Sequence, residues 1–291
     1  MGGNAYGGQT SLSYSASMNS SGVPVLMYHA LVDTYEPYMA AVHVETAAFE
    51  LQMGWLAAHG YRSISPMQLL QALEENQPLP NSVVITFDDG YASLLQKALP
   101  ILARYGFSAT LFLTTESVGW PTYKNLPEFG DSVPLEDRPL TWDEVRVLQA
   151  AGWSIEAHSR THQNHRNLTS AELQQEMGGS KAQIEACLHS AVQFYAFPYG
   201  KYTAGSLELL DALNYRAGFS VHPGQANSKD DVRRLPRLEI TAQCGLEEFA
   251  RKVTTGYDSS SEKYRSTVRN ILFRSPRLKD FLQKGLGRYS N

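Results

Sequence analysis

Cysteine is nearly absent from this chain: 291 residues hold two, Cys187 and Cys244. Two thiols cannot build a disulfide framework or a cysteine-based zinc site, and they leave the redox compartment open. Long hydrophobic runs are missing as well. No stretch reaches the roughly 18 apolar residues that a membrane-spanning helix needs. Charge of one sign is scarce, with 25 Lys and Arg against 29 Asp and Glu and a formal net charge of -4. That balance offers nucleic acid no electrostatic footprint. Residues 1–22 lack the basic and apolar regions of a secretory signal; rich in Ser, Gly, Asn and Tyr, they read as a disordered extension or tag remnant. Neither a fixed-period repeat nor an internal linker is present. What remains is ordinary globular usage, 43% hydrophobic and 19% charged, in a chain long enough for a large core.

Short apolar runs occur at Val23–Tyr28, Tyr61–Ile64, Val83–Phe87, Ala109–Leu113, Trp153–Ala157, Gln193–Phe197, Tyr215–Ser220 and Leu235–Ile240. Helix-length stretches separate them. Phe49, Met53, Leu56 and Ala57 share a helical face, as do Leu94, Leu95, Ala98, Leu102 and Tyr105. Thr141–Glu144 and Thr169–Glu172 match the T-x-x-E capping box, and Gly60, Gly106, Gly152 and Asn214 stand where helices should stop. Strand and helix alternating seven or eight times implies an α/β fold with a parallel sheet, closed into a (β/α) barrel of seven or eight strands in a single domain. The aromatic, Pro-containing segment Gly119–Pro139 is expected to form a loop over one barrel end.

Polar groups follow the strands. Val83-Val84-Ile85 leads into Asp88-Asp89-Gly90. Two adjacent carboxylates after a buried strand suit a metal ligand beside a free base, or else a helix N-cap. Trp153–Ala157 leads into His158-Ser159-Arg160-Thr161-His162. Histidines at i and i+4 lie on one face of a helical turn and can grip one ion, or form a surface pair. With Asp89 they make a two-histidine, one-carboxylate set with positions left for water and substrate. His165 follows as an alternative ligand or a loop residue. His29 ends the first run, either as a satisfied polar residue or as a group at the barrel mouth. Pro198-Tyr199-Gly200 is an ordinary turn or one that aims a backbone N–H at an oxyanion. Arg237 in an apolar run needs a carboxylate, Asp88 or else Asp230 or Asp231.

Thr86-Phe87-Asp88-Asp89-Gly90 followed by His158-Ser159-Arg160-Thr161-His162 resembles the first two motifs of the NodB-homology polysaccharide deacetylases, carbohydrate esterase family four. The resemblance spans roughly Val23 to Val253. It implies a distorted (β/α) barrel that removes acetyl groups from an N-acetylated glycan with one divalent ion, zinc before cobalt, nickel or iron. It also implies that Asp88 is the catalytic base and that Asp89, His158 and His162 are the metal ligands. Phe197-Pro198-Tyr199-Gly200 resembles the third motif, whose Tyr199 position supplies a backbone oxyanion contact and whose Pro198, Tyr199 and Gly200 line the substrate groove. Two departures stand out. The family's third-motif Arg is Ala196 here, and Arg237 is the candidate to replace its charge. The family's C-terminal Leu-x-His is missing, for no histidine follows His222. Val25-Leu26-Met27-Tyr28-His29 instead resembles the N-terminal motif of circularly permuted members, which include poly-N-acetylglucosamine deacetylases. The Phe49, Met53, Leu56, Gly60-Tyr61 pattern is similar to that branch too. This implies His29 as the general acid and Tyr28 as a substrate contact.

Residues 23–255 are thus expected to form the deacetylase barrel and 256–291 a basic helical extension. From Glu262 onward there are eight Lys or Arg and two acidic residues. This segment is expected to pack on the barrel rather than on an anionic membrane. The substrate is expected to be an acetylated polysaccharide in the periplasm or at the cell surface. An O-acetyl esterase and a catalytically weak glycan-binding barrel are the competing readings.

Overall fold

The computed structural model describes residues 22–123 and 138–259. The expectations for residues 1–21, for 124–137 of the Gly119–Pro139 segment and for 260–291 fall outside them. Among the described residues, no helix is long and apolar enough to cross a membrane.

Each of the eight apolar runs coincides with a strand, β5 extending past its run at both ends: β1 (Val25–Tyr28), β4 (Arg62–Ser63), β5 (Ser82–Asp89), β6 (Thr110–Leu113), β7 (Ser154–Ala157), β8 (Phe194–Ala196), β9 (Ala217–Phe219) and β10 (Leu238–Glu239). Strands covered on both faces read as continuous apolar runs, and all eight residues of β5 are buried. The parallel order is β10-β1-β5-β6-β7-β8-β9, with β4 paired to the start of β5. The Leu235–Ile240 run bends rather than forming one strand. Leu235 donates its N–H to the Gly218 carbonyl at 2.8 Å, on the β9 edge, while Leu238 and Glu239 register with Leu26 and Met27 of β1. Pro236, which has no N–H to give a ladder, stands between the two pairings. The segment thereby joins the two edges of the sheet in a distorted (β/α) barrel.

Helices α1 (Thr46–Ala58), α2 (Pro66–Glu74), α3 (Leu99–Tyr105), α4 (Trp142–Ala150), α5 (Ser170–Leu188), α6 (Ala204–Ala212) and α7 (Leu246–Thr255) cover the barrel. Thr141 and Thr169 form reciprocal capping boxes with Glu144 and Glu172. A small parallel pair not foreseen from sequence, β2 (Ala30–Val32) with β3 (His43–Glu45), follows β1.

Side chains alternate across each strand. Val25, Val84, Phe112, Phe194, Ala196 and Phe219 fill the inside, while Leu26, Tyr28, Ile85, Phe87, Leu111 and Tyr195 pack against the helices. This alternation corrects the reading of Tyr28 as a substrate contact. Tyr28 is fully buried on the helix side, edge-on to Phe49, and its hydroxyl donates to Gln52 Oε1 at 2.8 Å.

Only Ala157 and Tyr195 register between β7 and β8. Glu156 takes up the amides that this short ladder leaves: Gln193 and Phe194 each donate an N–H to Oε2 at 2.8 Å, and Ser154 Oγ donates to Oε1 at 2.7 Å. Burial pushes this carboxyl up to about 7. An acid whose folded value is raised binds more protons when folded, so its contribution is full below the unfolded value near 4.5 and is lost as pH rises to about 7. The loss is on the order of 3 kcal/mol. His158 and His165, held by burial at about 4 and about 3, act in the opposite sense. The difference between wild type and Glu156→Gln therefore isolates the effect. In urea unfolding from pH 4.5 to 7, the wild type is expected to lose stability relative to the Gln variant. A pH-independent difference would contradict this.

Candidate active site and metal centre

The strand ends carry the polar side chains into one cavity of about 350 Å³, lined by His29, Asp88, Asp89, His158, His162, Tyr199, Gly200 and Arg237 among others. In a parallel barrel the carboxyl ends of all strands open on the same face, which is why residues far apart in sequence meet there.

Asp88 lies on the inner face of β5. Arg237 grips it with both arms, Nη1 to Oδ1 at 2.6 Å and Nη2 to Oδ2 at 2.7 Å. Its Nε donates to the Ser220 carbonyl at 3.1 Å, and its Nη1 also reaches Thr86 Oγ1 at 3.3 Å. Asp231, the alternative partner from sequence, pairs instead with Arg233 and Arg234. Burial would raise the Asp88 carboxyl, but the charges of Arg237 and His158 and the Arg237 hydrogen bonds hold it down at about 2. Asp88 is therefore an anion throughout the neutral range.

Asp89 ends β5 at φ 71°. Burial, and then the charge of Asp88, push its carboxyl well up. His158 and His162 follow β7, but not on a helical turn as their spacing suggested. The backbone loops through left-handed conformations at Ser159 and His162, both at φ 62°. Left-handed non-glycine residues cost about 1 kcal/mol or more each. His162 donates its N–H to Ser159 Oγ at 2.8 Å inside this loop. His158 Nδ1 bonds the Ala196 carbonyl at 2.9 Å. A carbonyl only accepts, so Nδ1 carries the proton and Nε2 is left as a lone-pair donor. Burial keeps both imidazoles neutral, His158 at about 4 and His162 well below its ordinary value.

One ligand atom each from Asp89, His158 and His162 lie within 4.8 Å of one another. Asp89 Oδ1 is 3.6 Å from His158 Nε2 and 3.3 Å from His162 Nε2. Ligand atoms about 2.1 Å from one ion stand about 3 to 3.5 Å apart, close to these distances. Asp89 Oδ1 is also buried with no hydrogen-bond partner, a cost that a cation would relieve. The residues fit a divalent ion. His165 lies outside this cluster, its Nε2 at 2.9 Å from the Tyr195 hydroxyl and its Nδ1 at 3.2 Å from Ser206 Oγ.

His29 is at the cavity wall next to Asp88, with Nδ1 buried and without a hydrogen-bond partner. Tyr199 is 42% exposed and meets the His162 ring edge-on at 4.7 Å. Gly200 sits at φ 62°, where a Cβ would stand 2.3 Å from Val221 Cγ2 and 2.7 Å from its backbone N, so only glycine fits the turn. Sequence reasoning missed Thr86, Ser159 and the cavity contacts Ala41, Val42 and Glu239.

A parallel barrel with two histidines and one carboxylate poised for an ion, beside a second carboxylate held ionised by arginine, defines a hydrolase site. Residues 75–218 match the family model described as polysaccharide deacetylase. A Bacillus subtilis chain named as a polysaccharide deacetylase, YxkH, is 28% identical over 220 residues, 75% of this chain and 71% of that one. The Escherichia coli K12 poly-beta-1,6-N-acetyl-D-glucosamine N-deacetylase is 27% identical over 76% of this chain, which spans 37% of that protein's length. Among solved structures, the Streptococcus pyogenes deacetylase PplD in complex with acetate superposes with a TM-score of 0.68 at 26% identity, over 80% of this chain and 98% of that one. Residues 75–218 of this chain are thus a polysaccharide deacetylase domain.

Proposed function

We propose that this chain is a metal-dependent N-deacetylase of an N-acetylglucosamine-containing polysaccharide, acting in the periplasm or at the cell surface. The observation that carries the reading is the meeting, in one cavity, of the Asp89, His158 and His162 donor set with the Asp88–Arg237 pair and His29. The relatives named for poly-beta-1,6-N-acetyl-D-glucosamine support the choice of glycan.

Asp89, His158 and His162 would hold a divalent ion, zinc first among the candidates, which supplies Lewis acidity toward the acetyl carbonyl and the attacking water. Asp88, kept ionised by Arg237, accepts the water's proton. The Tyr199 N–H donates to the oxyanion as it forms. His29 protonates the departing amine, and Pro198, Tyr199 and Gly200 wall the groove that holds the sugar. An acid and a base are both needed because an amine leaves poorly unless protonated. Metal-loaded protein is expected to release acetate from N-acetylglucosamine oligomers in preference to peptidoglycan and acetylxylan. Release from acetylxylan alone would move the assignment to an O-acetyl esterase, and binding without release to a glycan-binding barrel.

His29 offers a sharper test. General acids contribute about 10² to 10⁴-fold, mostly where the leaving group is poor. His29→Ala is expected to lose activity in that range on the amide, far less on nitrophenyl acetate, and to keep its zinc. Equal losses on both substrates would reduce His29 to a positioning role.

A further inference from the structure

The loop that carries the two histidines is fastened from outside the cavity by a buried acid on α5. Glu176 is 5% exposed. Its Oε2 accepts the N–H of Arg160 at 3.0 Å and the N–H of Thr161 at 2.8 Å, and its Oε1 accepts the Thr161 hydroxyl at 2.7 Å. These donors lie between His158 and His162, flanked by the two left-handed residues Ser159 and His162. A loop bent this way persists only where its surroundings dictate it. The opposite side is held too: Glu116 donates its N–H to the Arg160 carbonyl at 2.9 Å, and Thr114 Oγ1 donates to the His158 carbonyl at 3.1 Å.

We infer that Glu176 is a positioning residue of the metal centre: by collecting the Arg160 and Thr161 donors it presets the separation of His158 and His162, and thereby the affinity of the site for its ion. The inference rests on the metal-dependent reading of the site. It distinguishes two roles for a buried acid. A residue that merely fills α5's packing surface would change the melting temperature of the metal-free protein and leave ion affinity alone. A residue that presets the ligands changes affinity more than melting. Groups that orient metal ligands without touching the ion typically account for about 10 to 100-fold in affinity.

The test is competitive titration of metal-free full-length protein with zinc against a chromophoric chelator, alongside the melting temperature of the same metal-free samples. Glu176→Ala is expected to bind zinc about 10 to 100-fold more weakly than wild type. Glu176→Gln, whose amide oxygen can accept both N–H groups while its NH2 donates to Thr161 Oγ1, is expected to stay within a few-fold of wild type. Cobalt absorption serves as a second readout, expected to change in shape for the Ala variant and to be restored in the Gln variant. Should the Ala variant not fold, Glu176→Asp keeps the charge but falls one methylene short, and is expected to weaken zinc binding without unfolding the chain. Wild-type affinity in whichever of the Ala or Asp variants folds would overturn the role of Glu176 alone. No zinc binding by the wild type would overturn both this role and the metal-dependent reading beneath it.

Discussion

His158→Ala is expected to abolish zinc binding and acetate release together. The variant removes one of three donors and leaves two adjacent buried carboxylates, of which Asp89 is already pushed up by burial and by Asp88. A site reduced to one histidine and one strained carboxylate has no means of offsetting the desolvation of a dication. The vacated space also frees the Ala196 carbonyl from its partner at 2.9 Å, so the change is felt in β8 as well. Metal content of purified variant, measured beside acetate release, decides the matter. Full metal content would remove His158 from the ligand set.

Arg237→Ala carries the second large effect. Arg237 is 1% exposed, and its guanidinium bonds both oxygens of Asp88. Removing one partner of a buried pair typically costs about 3–5 kcal/mol, because the other charge is stranded. With Arg237 gone, the burial that already opposes ionisation of Asp88 prevails, and its carboxyl moves up from about 2. The proposed base is then protonated over part of the working range. Turnover near neutrality is expected to fall about 10²-fold or more, with the acid limb of the rate profile displaced to higher pH and zinc content little changed. The same pairing contributes to acid lability of the wild type, because protons bind more readily to the unfolded chain. A carboxyl whose folded value is lowered contributes stability that is present above the unfolded value near 3.8 and is lost as pH falls through about 2. A rate profile identical to wild type would confine Arg237 to packing.

The strands were legible because parallel strands buried on both faces leave apolar runs that need no alternation to be seen. The helix stops were legible because chain reversal favours glycine or asparagine: α3 ends against Gly106 at φ 70°. What escaped was set by context. The strand alternation puts His29 inward and therefore Tyr28 outward, a constraint available in the sequence once β1 is placed. The His158–His162 spacing suggested a helix, but hydrogen bonds from β6, from α5 and within the loop hold left-handed turns that no local preference favours. Glu176 had a sequence signal as well. Counted from the Thr169 cap, it shares the inward stripe of Leu173, Met177 and Ser180, where an acid is out of place unless something donates to it. β2 and β3 are three residues each and carry too little pattern to stand out.

The bent segment from Leu235 to Glu239 gives the chain an order of events during synthesis. Asp88 and the arginine that keeps it ionised are 149 positions apart. At about 5–20 residues per second, the ribosome delivers Arg237 roughly seven to thirty seconds after Asp88. Until then the sheet has two free edges and its central acid has no cation. The same few residues then join β9 to β1 and bring the guanidinium onto Asp88. A nascent chain stalled before this segment thus has neither a closed barrel nor the guanidinium that fixes Asp88 in place, so the arrangement of the cavity is completed together with ring closure, after every other described barrel strand has been made.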